Sequence, residues 1–113
     1  MEITLNNLQK KAIMKVCIGI ADMDGVAHPE ELNFIKSLLG AFEFSNDEFN
    51  ESHKMDIEDA ADVIEAFDAD QKAALVAILT HLIEVDGEVH EKELELLGAI
   101  ANRCNIDLPF NKE

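Results

Sequence analysis

Ala21-Asp22-Met23-Asp24-Gly25-Val26-Ala27-His28-Pro29-Glu30-Glu31-Leu32 decides how this chain is read, because it returns as Ile83-Glu84-Val85-Asp86-Gly87-Glu88-Val89-His90-Glu91-Lys92-Glu93-Leu94. In each copy an apolar run of helical spacing stops at two carboxylates and a glycine. The next helix then opens on a histidine with a glutamate three residues later. Shifting the chain by 62 positions sets Ala12 on Ala74, Asp22 on Glu84, Asp24 on Asp86, Gly25 on Gly87, His28 on His90, Glu31 on Glu93 and Leu32 on Leu94. Identity is thin elsewhere, so the matches gather at the turn. That clustering marks a duplicated helix–turn–helix unit whose copies pack about an approximate two-fold axis. The chain is therefore expected to form a single domain over residues 1–113, with repeat 1 at about 5–55 and repeat 2 at about 69–113.

Working outward from the turns, Leu5, Leu8, Ala12, Ile13, Val16, Cys17 and Ile20 recur every three or four residues and predict a helix over 5–22, capped by Thr4. Met14 and Ile18 widen its stripe, so this helix should be enclosed. A second helix is expected from His28 or Pro29 to Phe42, with Leu32, Ile35, Leu38, Leu39 and Phe42 on its inner face. Ser45 and Glu48 have capping-box spacing and open a short helix to His53, with Phe44 and Phe49 as its hydrophobic staple. Asp56 should cap a fourth helix carrying Ile57, Ala60, Ala61, Ile64 and Phe67. Asp68 and Gln71 open a fifth over 69–85, the most apolar run and so expected to be central. Leu94, Leu97, Ile100, Ala101 and Cys104 give the last long helix. Ile106-Asp107 repeats the Phe44-Ser45 staple and cap, and Pro109 leaves only a stub. No segment alternates with a strand period, so the fold class is all-α, multihelical, with two central helices.

The chain has 113 residues, 48% of them hydrophobic, enough for one core without metal or disulfide. Its 24 acidic residues against 9 basic ones leave a formal charge of −15, which repels nucleic acid and anionic lipid. A cation or a protein partner with a basic surface is the expected counterpart. Cys17 and Cys104 lie in apolar runs without a Cys-x-x-Cys spacing, so buried free thiols are expected. No apolar run is long enough to span a membrane, and the first residues have neither a basic region nor a signal core. The expected location is cytoplasmic.

The candidate chemistry sits at the two turns. Glu31 and Glu93 can act as the third-residue partners of helix caps. His28 and His90 are poor caps, and Asp22, Asp24, Glu84 and Asp86 stand at helix C-termini, where the backbone dipole disfavours negative charge by about 0.3–1 kcal/mol each. A divalent cation would offset them. Counted from Ile20, the residues Asp22, Asp24, Gly25 and Glu31 fall in the third, fifth, sixth and twelfth slots of an EF-hand loop. Glu84, Asp86, Gly87 and Glu93 do the same from Leu82, although the first slot is apolar in both copies. Together, Asp22, Asp24, His28, Glu31, Glu84, Asp86, His90 and Glu93 form a candidate metal site for Ca²⁺, Mg²⁺, Mn²⁺ or Zn²⁺. The alternative is a solvated, capped acidic surface.

At these turns the sequence resembles the tellurite-resistance TerB-like family, which includes the N-terminal domain of a membrane-anchored DnaJ-type co-chaperone. The resemblance rests on an apolar helix ending in an acidic residue and Asp-Gly, with a glutamate six residues after the glycine: Asp22, Asp24-Gly25 and Glu31, then Glu84, Asp86-Gly87 and Glu93. It covers about residues 5–108. It implies an all-α fold of two repeated units and a non-enzymatic role in metal sensing or chelation and protein interaction in stress response. The chain departs from the pattern in placing histidine at both capping positions and in its short last helix. A purely structural interaction or oligomerisation domain is the alternative. An enzymatic two-metal centre built on His28-x-x-Glu31 and His90-x-x-Glu93 has the reverse of the usual Glu-x-x-His order and sits at helix starts.

Overall fold

The computed structural model describes residues 5–21, 29–84 and 91–106, and for 83, 84 and 91–94 the backbone alone. Six helices, α1 (Asn7–Ala21), α2 (Pro29–Phe42), α3 (Asn46–Lys54), α4 (Ile57–Glu65), α5 (Ala69–Glu84) and α6 (Glu91–Cys104), make up an all-α domain with no strand among the described residues.

The 62-residue offset recurs in the described helices and their caps. Helices α2 and α6 start and stop at positions related by the same 62-residue offset that separates Gln9 from Gln71, which touch each other (Gln71 Nε2 to Gln9 Oε1, 3.4 Å). A residue meeting its own repeat counterpart is what a local two-fold relation requires. Both copies begin with reciprocal side-chain caps. Gln9 N–H donates to Asn6 Oδ1 (2.7 Å) and Asn6 N–H to Gln9 Oε1 (2.9 Å); Gln71 N–H donates to Asp68 Oδ1 (2.8 Å) and Asp68 N–H to Gln71 Oε1 (3.0 Å). The cap of α1 is thus Asn6, not Thr4, which lies outside the described residues. Both copies also stop alike, at a left-handed residue: Glu43 and Asn105, each with φ 59°. Phe44 N–H then reaches back to the Leu39 carbonyl (3.0 Å) and Ile106 N–H to that of Ala101 (2.9 Å), closing the last turn of each helix.

Helix α1 is the enclosed one. Ala12, Ile13, Met14, Val16, Cys17, Ile18, Ile20 and Ala21 are all buried, beneath α2, α3 and α4. Helix α5, more apolar in sequence, buries Leu75, Leu79 and Leu82 and leaves Val76 and Ile78 half-buried, because no counterpart of α3 covers it among the described residues. Helix α3 opens on the expected Ser45–Glu48 capping box. Asp56 occupies the N-cap of α4 in extended conformation, yet its side chain makes no capping hydrogen bond. The radius of gyration is 13.0 Å, that of a fully folded chain of this length.

Candidate functional site

The helix ends bordering the two acidic turns are set by the same packing that relates the repeats. Gly19, near the end of α1, is close enough to α6 that a Cβ built there would stand 3.6 Å from Leu96 Cδ2. The counterpart contact joins the end of α5 to α2, where the Phe34 and His81 rings lie 4.8 Å apart and tilted by 36°. Each helix leading into one turn therefore packs against the helix leading out of the other. His81 is exposed at its contact with Phe34.

Of the eight candidate residues, Asp22, Asp24, His28, Asp86 and His90 lie outside the described residues, and Glu84 and Glu93 belong to α5 and α6 by their backbone. The side chain of Glu31 is described, and it is fully buried. It shares an inner stripe with Ile35, Leu38 and Phe42, while Leu32, expected on that face, is 44% exposed. The apolar periodicity of α2 admits either residue. The helix turns its carboxylate inward and its leucine outward.

This burial separates Glu31 from the other third-residue partners in the chain. Gln9, Glu48 and Gln71 hold their caps from half-buried positions. An ionised carboxylate withdrawn from water costs several kcal/mol unless opposite charge or hydrogen bonds compensate it, which a capping role alone does not demand.

The other helix ends show how this chain neutralises a C-terminus. Lys10 Nζ donates to the Phe42 carbonyl (3.5 Å) at the end of α2, and its counterpart Lys72 Nζ to the Cys104 carbonyl (2.7 Å) at the end of α6. These lysines answer the negative end of the helix dipole, and sequence reading missed both. The shared offset between each lysine and the end it meets was the available signal. Helix α1 has no basic residue in its last turn, and two aspartates follow it in the sequence. Lys11 and Lys15 are turned to Glu51 and to the His53 carbonyl, and Arg103 to Asp62, whose hydrogen bond raises the guanidinium pKa.

Among the described residues no group of three or more His, Cys, Asp or Glu could hold a metal ion. Both cysteines are free and buried, as expected. Burial pushes the Cys17 thiol up to about 12 and raises that of Cys104, whose Sγ lies 3.5 Å from the Ala61 carbonyl. At neutral pH Cys17 is a protonated, inert thiol. Between α4 and α6 runs a groove of about 360 Å³ whose walls include Ile57, Ala61, Leu96 and Ile100, with Glu58 and Arg103 beside them. No helix among the described residues is long and apolar enough to cross a membrane.

No family model matches the chain, and no curated protein matches it. Among solved structures it is similar to the crystal structure of a protein of unknown function from Porphyromonas gingivalis W83. That likeness has a TM-score of 0.74 and 20% sequence identity, over 95% of this chain and 84% of that one. It shows the fold.

Proposed function

We propose that this protein is a cytoplasmic, non-enzymatic module of the TerB-like kind, acting in a stress response of the tellurite-resistance type. Its paired acidic turns, Asp22, Asp24, His28 and Glu31 with Glu84, Asp86, His90 and Glu93, hold a divalent cation and present it, or their own negative charge, to a basic protein partner. The observation that carries this reading is the full burial of Glu31 near the start of α2, the helix that also meets the end of α5 through Phe34 and His81. Two further facts support it. Lysines neutralise the ends of α2 and α6, whereas α1 ends without a basic residue and runs into Asp22 and Asp24. Oxygen donors from two acidic turns suit Ca²⁺, Mg²⁺ or Mn²⁺, and the histidines add affinity for Mn²⁺ or Zn²⁺.

The competing structural reading has its own observation. The chain opens α1, α3 and α5 with a glutamate or glutamine at the third helical position, as it does at Glu31. Glu31→Gln separates the two readings. Glutamine serves a cap as well as glutamate does, so under the structural reading the variant melts like the parent with or without metal. Under the cation reading the parent gains thermal stability from one of Ca²⁺, Mg²⁺, Mn²⁺ or Zn²⁺. That gain is about 2.7 kcal/mol at a hundredfold excess over Kd, and Glu31→Gln loses most of it. A parent melting temperature unmoved by all four ions removes the cation.

A further inference from the structure

Helices α1 and α5 start from one template and differ in what lies over them. The outer face of α1 is held to α3 by Asn7 Nδ2 donating to Glu48 Oε2 (3.5 Å), by the Lys11–Glu51 ion pair, and by Lys15 Nζ donating to the His53 carbonyl (3.0 Å). On α5 the counterparts of Asn7, Lys11 and Lys15 are Ala69, Ala73 and Ala77, all exposed, and Val76 is half-buried where its counterpart Met14 is fully buried. A groove of about 270 Å³ lies along this face, lined by Ala69, Lys72, Ala73, Val76, Asn105 and Ile106.

The chain itself arrives at the groove. Ile106 is the last described residue and one of its walls, fastened by the Ala101 carbonyl as Phe44 is by that of Leu39. In repeat 1 the residues after Phe44 open α3 and cover α1. The same 62-residue offset sets Asp107 on Ser45 and Pro109 on Asp47, and proline is tolerated in the first turn of a helix. The offset also puts Phe110 at the position of Glu48. The positions of the Asn7–Glu48 polar pair of repeat 1 thus correspond in sequence to Ala69 and Phe110, both apolar.

We propose that residues 107–113 dock into the α5 groove as the counterpart of the first turns of α3, with Phe110 seated against Ala69 and Ala73. The cover is apolar because the lysines that clamp α3 have been replaced by alanines. The test is nuclear Overhauser spectroscopy on the full chain at low concentration, with Phe110→Ser and, separately, Ala73→Asp. Cross-peaks are expected within one molecule from the Phe110 ring to the Ala69, Ala73 and Val76 methyls. Phe110→Ser should shift those methyls toward the positions of aliphatic groups without a ring overhead. Each variant should melt lower by about 4 °C or more while keeping a helical spectrum. Absence of the cross-peaks, or methyls indifferent to Phe110→Ser, overturns the proposal. So do cross-peaks confined to pairs of differently labelled chains, which would make a second copy the occupant.

Discussion

Glu31 and Glu43 show how much a single position can depart from what its residue type favours. Glu43 has φ 59°, where a side chain crowds the backbone and glycine does not. Glu43→Gly should therefore stabilise the protein by about 0.5–1 kcal/mol, net of the entropy that glycine adds to the unfolded chain. Asn105→Gly should gain less, because asparagine tolerates this conformation. Urea unfolding of both variants checks the order. Cys17 makes a prediction in pH. Burial pushes its thiol up to about 12 in the folded protein, well above the ordinary thiol range. Above pH 9 the unfolded chain loses this proton while the folded chain keeps it, so stability falls as pH rises from about 9 toward 12. Below pH 9 both states hold the proton, and Cys17 contributes no pH dependence. Comparing the alkaline limb of the stability profile with that of Cys17→Ala isolates the effect, provided the variant still folds.

At the scale of elements, the two repeats have diverged in how deeply their first helices are buried. Met14 on α1 is fully buried, and Val76 at the counterpart position of α5 is half-buried. Met14→Ala should cost about 2–5 kcal/mol, the range for large-to-small changes in a closed core. Val76→Ala should cost about 1 kcal/mol or less, since much of that side chain still meets solvent. Equal losses in urea titration would mean that α5 is enclosed as deeply as α1. The helices themselves were legible in the sequence, because their apolar spacing and capping pairs are local signals. Ser45–Glu48 and Asp68–Gln71 were read directly from spacing. The Asn6–Gln9 cap has the same spacing and was missed in favour of Thr4, because a polar residue just before a helix has several equivalent-looking neighbours. The depth of α5 was misjudged because apolarity measures what a helix can bury. What covers it depends on elements far along the chain.

For the whole molecule, the duplication was legible from five identities clustered at the turn, and the same offset relates residues that share no identity, such as Phe42 and Cys104 or Glu43 and Asn105. The inward turn of Glu31 was not legible. Glu31 and Leu32 are consecutive in sequence and each has helical spacing to Ile35 and Phe42, so only the packing of α2 on the rest of the fold chooses which of them turns inward. The pairing of each incoming helix with the outgoing helix of the other repeat is also a tertiary fact, carried by Gly19 against Leu96 and by Phe34 against His81. The proposed cation site depends on that arrangement, because a single turn with an apolar first slot offers too few ligands. The most direct measurement is calorimetric titration of the full chain with Ca²⁺, Mg²⁺, Mn²⁺ and Zn²⁺, beside Asp24→Asn, Asp86→Asn and the double variant. A shared site predicts one ion per chain for the preferred metal, with binding weakened by either single substitution and abolished by both. No heat with any of the four ions, or binding that the double variant retains in full, would contradict it.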